Sequence, residues 1–228
     1  MIRRCYLLAA TLVVVAMQPV NSALAQEVAN RPIKFIVPFT PGSGTDTSAR
    51  YFGRKLTELT ELTGQPVVVD NNPGANGFIA VQAVLQAPAD GPTVFVGSNS
   101  TLAVNIALFK SLPYNPQVDF MPLSMMMRAP TVVVVPQQSP YKTLADLIAA
   151  AKAQPGKLNH AGGSAGYQAG LPGFGAYVWV GAMVSAKTHK PQAERLASLL
   201  AQTERAPETK AFYERINGLR LLKARSQG

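Results

Sequence analysis

The sequence predicts an α/β fold with a mostly parallel sheet that is covered by helices on both faces. First, short runs rich in β-branched residues recur at 33–37, 67–69 and 93–97. Second, each run is followed by a segment with helical spacing of apolar residues. Continuous apolar strands that alternate with amphipathic helices are typical of parallel sheets buried on both sides. A composition of 47% hydrophobic and 14% charged residues fits a globular chain.

The predicted elements follow the chain in order. Strand 33–37 leads into a helix over 45–62, and strand 67–69 leads through a turn into a helix over 77–86. Strand 93–97 precedes a helix over 101–109. Two strands, 120–127 and 131–135, are expected around residues 128–130. A helix that starts at Thr143 and ends at Pro155-Gly156, and a strand over 158–161, come next. A strand over 177–183 and helices over 191–202 and 208–216 complete the predicted set, all read from the pattern of apolar and turn-forming residues.

The N-terminus predicts a secretory signal peptide over residues 1–25. Arg3 and Arg4 precede an apolar stretch, and Ala23-Leu24-Ala25 is an A-x-A cleavage pattern. Cys5 is the only cysteine and lies in this segment, so neither a disulfide nor a cysteine metal site is expected after cleavage. We therefore expect an exported protein.

The charge pattern does not predict nucleic-acid binding. The formal net charge is +9, and residues 187–228 carry nine Lys/Arg against four Glu. These cations are spaced around helical segments and are not clustered with aromatic residues on one face. A solvated basic surface that favours anionic ligands is the simpler interpretation. Neither a cofactor nor a metal is expected, since His160 and His189 lack ligand-like spacing.

Three turns rich in small polar residues follow predicted strands, and the carboxyl ends of parallel strands are where open α/β sheets bind ligands. Glycine allows close backbone approach, and a helix start adds free N–H groups that favour an anion. The chemistry therefore suits a carboxylate. The candidate binding residues are Pro41, Gly42, Ser43, Gly44, Thr45 and Asp46 in the first turn, Ser98, Asn99, Ser100 and Thr101 in the second, and Ser164 and Ala165 in the third. We expect Asp46 to cap its helix.

Two other functions were weighed against carboxylate binding. A dinucleotide site is disfavoured because Thr47 stands where the third glycine of G-x-G-x-x-G belongs. A secreted serine hydrolase that uses Ser164 is the alternative, since residues 162–166 match G-x-S-x-G and His189 follows. The breakers Leu171-Pro172-Gly173 leave little room for the helix that this elbow needs, and no acid stands between Ser164 and His189.

Several motifs resemble the Bug receptors, the periplasmic solute-binding proteins of tripartite tricarboxylate transporters. They lie at residues 31–33, 37–46, 64–71, 73–77, 112–114, 152–159 and 169–174. The resemblance implies a two-lobed, type II-like periplasmic-binding-protein fold and no catalysis. It also implies a small carboxylate held by residues 41–46 and the loop of Ser164, with residues 98–101 lining the cleft. The implied partners are the carboxylate and the transporter's membrane subunits, with the receptor a monomer.

The same resemblance implies an internal deletion. Receptors of this family carry a long stretch between the loop at 162–166 and the motif that begins at Ala169, and that stretch builds most of the second lobe. Here the two landmarks nearly touch. We therefore expect a first lobe over 26–125, a truncated second lobe over 126–168, and a C-terminal strand and helices over 169–228 that return to the sheet.

Overall fold

The computed structural model describes residues 31–60, 65–130, 135–159 and 177–217. In these ranges no helix has both the length and the apolar character needed to cross a membrane. The predicted signal peptide, the third turn with Ser164 and Ala165, and the segment 131–134 lie outside the described residues.

A single five-stranded sheet organises the described part of the chain, in the order β2-β1-β3-β5-β4. Strand β1 lies between β2 and β3 and is parallel to both. Strand β5 is antiparallel to its neighbours β3 and β4, so four strands run one way and one runs the other. The strands are β1 (Ile33–Val37), β2 (Val67–Asn71), β3 (Thr93–Ser98), β4 (Phe120–Pro130) and β5 (Tyr177–Ser185).

Within the described ranges six α-helices accompany the sheet, and most predicted helices begin within one residue of the observed start. They are α1 (Gly44–Thr60), α2 (Phe78–Leu85), α3 (Asn105–Leu108), α4 (Leu144–Ala153), α5 (Lys190–Arg205) and α6 (Pro207–Asn217). The helix expected over 101–109 instead starts as a π-helical turn, Ser100–Val104, and continues as the short α3. A 3₁₀ turn, Ala75–Gly77, precedes α2.

Each face of the sheet buries its own apolar cluster, as the continuous strands predict. Phe35 of β1 and Val94 of β3 point to the face covered by α1, α5 and α6. Their chain neighbours Ile36 and Phe95 point to the opposite face, where α2 packs. This alternation follows from the two-residue period of a strand. The prediction of helices on both faces is confirmed.

Strand β4 corrects one prediction. The expected break at residues 128–130 is absent, because β4 runs without interruption to Pro130, which pairs with Tyr177. The register shifts between Pro122 and Ser124 and again between Met125 and Met127. Prolines are more readily tolerated here because β4 is an edge strand of the described sheet, where the N–H groups on one side face away from the ladder. The second shift lets the consecutive residues Met126 and Met127 enter the same core cluster.

The chain after β4 is built differently from the sheet. Thr143 caps α4 as predicted, but α4 buries none of its residues. Its apolar side chains Leu144 and Ile148 are 61% and 46% exposed. The expected strand over 158–161 does not begin at Leu158 or Asn159, and the two residues after them lie outside the described residues. The proposed lobe boundaries at 125 and 168 stay predictions.

Candidate functional site

The turn after β1 is held by a helix cap that Ser43 supplies, whereas Asp46 was the residue expected to cap this helix. Ser43 is the residue before α1: its carbonyl accepts the Thr47 amide at 2.8 Å. The Ser43 hydroxyl oxygen accepts the Asp46 amide at 3.2 Å. A serine that caps the third helical residue in this way leaves the amides of the first two positions, Gly44 and Thr45, without an intrahelical acceptor. Neither amide finds a hydrogen-bond partner among the described residues.

The side chain of Asp46 accepts several hydrogen bonds that hold the turn. Its side chain is only 3% exposed, and its carboxylate accepts the Gly42 amide at 2.8 Å and the Asn71 side-chain amide at 2.9 Å. The Arg50 guanidinium donates to it through Nε at 3.0 Å. The Asp46 carboxylate therefore accepts hydrogen bonds from three groups, and these bonds stabilise the turn.

The charge on Asp46 is fixed by these donors. Burial alone raises the pKa of Asp46, but hydrogen bonds from Arg50, Gly42 and Asn71 outweigh it and hold the pKa below its usual value. The carboxylate is therefore ionised at neutral pH. This supports the prediction of a structural rather than an acid–base role.

Arg50 and Asn71 are functional residues that were not predicted. Asn71 ends β2, and its side-chain amide bridges the Asp46 carboxylate and the Phe39 carbonyl, the latter at 3.0 Å. Arg50 donates to the Asn71 side-chain oxygen at 2.8 Å. The Asp46–Arg50 spacing of four residues, which suits a helical ion pair, was the one available sequence signal.

The turn after β3 is closed by its own side chains. The Thr101 hydroxyl donates to the Ser98 carbonyl and accepts the Ser98 amide, both at 3.1 Å. The Ser98 hydroxyl accepts the Ser100 amide at 3.3 Å. Ser98, Asn99 and Thr101 are buried. The hydroxyls of Ser98 and Thr101 therefore hold the shape of this turn.

A left-handed turn joins the first two turns at one edge of the sheet. Gly74, Ala75, Asn76 and Gly77 all have positive φ, between 45° and 116°. A Cβ built on Gly77 would lie 2.5 Å from Cγ2 of Thr101 and 3.2 Å from Cβ of Pro38. The residues after β1 and β3 are thus brought together around Gly77, and a glycine is required there. The glycines and asparagine of the stretch 73–77 were the available sequence signal.

Comparison with known proteins decides the family. The model of the tripartite tricarboxylate transporter family receptor matches residues 53–172, slightly more than half of the chain. The chain belongs to this receptor family. The predicted resemblance is confirmed, and the Bug branch is represented among its relatives.

Two curated relatives illustrate the extent of the match. A UPF0065 protein of Pseudomonas sp. strain P51 is 39% identical over 137 residues, which is 60% of this chain and 40% of the relative. BugT of Bordetella pertussis is 42% identical over 142 residues, 62% of this chain and 43% of BugT. The chain thus spans about two fifths of the length of the curated relatives it matches.

Solved structures share the fold over a larger share of both chains. A protein of R. palustris solved with adipate has a TM-score of 0.72 at 21% identity, covering 83% of this chain and 88% of that one. MatC of Rhodopseudomonas palustris, solved with bound malate, has a TM-score of 0.66 at 20% identity, with 82% and 88% covered. The periplasmic binding protein BugD gives 0.69 at 19% identity. The predicted periplasmic-binding-protein-like fold is confirmed.

Proposed function

We propose that this receptor binds a small organic carboxylate in the periplasm and delivers it to the membrane subunits of a tripartite tricarboxylate transporter. The observation that carries the proposal is the turn at residues 41–46, called the β1 cradle below. In this turn the amides of Gly44 and Thr45, which have no partner among the described residues, lie at the carboxyl end of a parallel strand. The family membership supports the same ligand class, as do the similar structures solved with adipate and with malate.

The chemistry of the β1 cradle suits an anion that is bound reversibly. Two adjacent backbone N–H groups at a helix start provide directed donors and a positive dipole end. Gly44 is exposed, and a Cβ built on it meets no atom within 4 Å, so a ligand has room to approach. Because Asp46 is occupied by the Gly42 amide, Asn71 and Arg50, its charge is partly offset and does not stand free against a carboxylate.

The remaining candidate residues complete the proposal. Ser98, Asn99, Ser100 and Thr101 shape the neighbouring wall, and Pro41, Gly42 and Ser43 form the rim of the cradle. Ser164 and Ala165 would supply the facing loop of the second lobe, although both lie outside the described residues. The receptor acts as a monomer without a cofactor or metal, binds no nucleic acid and catalyses no reaction.

The second lobe is truncated, and this impairs the receptor. The long stretch that relatives carry before the motif at Ala169 is missing, and closure of two lobes normally supplies much of a buried ligand contact. We therefore expect weak carboxylate binding.

A proline substitution tests the cradle without disturbing the fold. Gly44→Pro removes one amide donor at the first position of α1, where proline fits well because no intrahelical bond is lost. Gly44→Ala is the matched control, since it adds a Cβ into open space and keeps the N–H. Thermal shift and calorimetry with malate and adipate should show binding by the wild type and Gly44→Ala, and about tenfold weaker binding by Gly44→Pro.

Equal binding of malate and adipate by all three proteins would place the ligand elsewhere and reject the cradle. No stabilisation of the wild type by any member of a carboxylate panel would reject a functional receptor, because a ligand of the native state raises its unfolding midpoint.

The hydrolase alternative gains no support. The matching family is a transport receptor family. His189, its proposed base, precedes α5, and its amide donates to the Ala89 carbonyl ahead of β3. That position lies at the end of the sheet where the parallel strands begin. The β1 cradle lies at the opposite end, where they finish.

A further inference from the structure

An open pocket lies beside the β1 cradle on the outer side of α1. Its volume is about 500 Å³, and its walls come from α1 and from Phe212 of α6. Gly42 and Asp46 form its border with the cradle, and Arg50 and Arg54 stand one helical turn apart along it. The proposed function assigns no role to this pocket.

The pocket carries an excess of positive charge. Two guanidinium groups and one carboxylate, that of Asp46, belong to its walls. Arg50 uses Nε on Asp46 and one terminal nitrogen on Asn71, which leaves its other terminal nitrogen without a partner among the described residues. A single net charge on a half-exposed surface favours a monoanion over a dianion.

Arg54 is the more available cation. Its side chain is 67% exposed, and its ion pair with Glu58 is long, at 4.0 Å. Glu58 has a closer partner in Lys55, at 2.8 Å. An exposed pair of this kind contributes little stability, so an incoming carboxylate can replace Glu58 at small cost. The planar fork of an arginine matches the two oxygens of a carboxylate.

An aromatic stack gives the pocket an apolar side. The rings of Tyr51 and Phe212 lie 3.8 Å apart and nearly parallel, at 11°. The Arg54 guanidinium carbon lies 5.7 Å from the Tyr51 ring centre. Cationic and aromatic groups that share one wall favour a ligand with a charged end and an apolar body.

From these contacts we propose that the pocket is a second anion site, which takes a small monocarboxylate with an apolar body. The ligand carboxylate pairs with Arg54 and with the second terminal nitrogen of Arg50, and its apolar body packs beside Phe212. This site differs from the β1 cradle, whose donors are backbone amides. It stands whether or not the cradle binds its own carboxylate.

Benzoate is the probe for this site, and acetate is the same carboxylate without the apolar body. Binding is followed by ligand-observed NMR on the full chain, in the wild type, Arg54→Gln and Lys190→Gln. Lys190 is the matched control because it is exposed and forms an (i, i+4) ion pair with Glu194 at 3.8 Å, so the charge change is equal. Benzoate should bind more tightly than acetate. Arg54→Gln should weaken benzoate about tenfold, and Lys190→Gln should leave it unchanged.

Two further variants separate the pocket from the cradle and from misfolding. Gly44→Pro should retain benzoate binding, so failure of the cradle and failure of the pocket give different results. Arg54→Lys keeps the positive charge but loses the planar guanidinium. Its benzoate affinity should lie between those of the wild type and Arg54→Gln. Benzoate binding that is undetectable in the wild type, unchanged in Arg54→Gln or lost in Gly44→Pro would overturn the proposal.

Discussion

Helices α1 and α4 of this chain are capped by similar hydrogen bonds but differ in burial. At α1, the Ser43 hydroxyl caps the Asp46 amide, and at α4 the Thr143 hydroxyl caps the Asp146 amide, each at 3.2 Å. Both carboxylates accept amides from the preceding turn. Asp46 is buried beneath Arg50 and Asn71, whereas Asp146 is exposed and helix α4 buries no residue.

The difference separates local from tertiary stabilisation. Each cap involves only a few neighbouring residues, so the short sequence around the helix start is enough to specify it. Burial needs partners that are distant in the chain, and most helix stability in proteins comes from that packing. The α1 region has its partners in β2 and α6. The α4 region lacks them among the described residues, as expected if most of the second lobe is missing.

Matched leucine truncations should give the largest contrast between the two helices. Leu56 of α1 is fully buried, and Leu144 of α4 is 61% exposed. Leu56→Ala should lower the free energy of unfolding by about 2–5 kcal/mol, and Leu144→Ala by less than about 0.5 kcal/mol. Urea unfolding measures both. Similar losses would mean that α4 packs against a core of its own.

A pair of glycine substitutions should give the next largest contrast. Gly77 and Gly156 both have positive φ, so alanine costs about 1–2 kcal/mol of backbone strain at either position. At Gly77 the new methyl also meets Thr101, whose rotamer is fixed by its bonds to Ser98, whereas at Gly156 it meets nothing within 4 Å. Gly77→Ala should therefore lower the thermal unfolding midpoint clearly more than Gly156→Ala. The same midpoint for both would contradict the close approach at Gly77.

Neutralising the carboxylates of Asp46 and Asp146 should give a smaller difference in unfolding free energy between the α1 and α4 regions. Asp46→Asn sets a side-chain NH₂ among the donors of Gly42, Arg50 and Asn71, and should cost about 1–3 kcal/mol. Asp146→Asn loses only solvent-exposed contacts and should cost less. An equal loss of unfolding free energy for Asp146→Asn, measured in urea, would mean that burial does not explain the contribution of Asp46.

The pH dependence should show the smallest effect. Hydrogen bonds hold the folded pKa of Asp46 below its usual value of 3.8, so its carboxylate stabilises the fold above that value and loses this contribution as pH falls through the folded pKa. The gap between wild type and Asp46→Asn in urea midpoint should be full near pH 6 and shrink toward about pH 3. A difference in urea midpoint that widens at low pH would mean that the folded pKa of Asp46 is raised rather than lowered.

Much of the fold could be predicted from local pattern. The strand 33–37, the helix starts and the cap at Thr143 depend on periodicity and on neighbouring polar residues, which the sequence displays directly. The break expected at residues 128–130 was wrong because an edge strand can accommodate a proline such as Pro130, and edge position is a tertiary property.

The candidate site was only partly predictable for the same reason. The turn at residues 41–46 was predicted from residue types at close spacing. Asp46 was expected to cap its helix, but Ser43 supplies the cap and the Asp46 carboxylate accepts hydrogen bonds from other groups. The bridge from Asn71 and the aromatic partner Phe212 depend on residues that the fold brings from afar. Ser164 and Ala165 stay predictions.

The most direct test of the central claim follows individual amides during a malate titration by ¹H–¹⁵N NMR. We expect the signals of Gly44 and Thr45, whose amides have no partner among the described residues, to shift progressively with malate. Thr143 and Gly156, at the two ends of the α4 region, should stay in place. Unmoved Gly44 and Thr45 signals, or equal shifts in both regions, would contradict the β1 cradle as the carboxylate site.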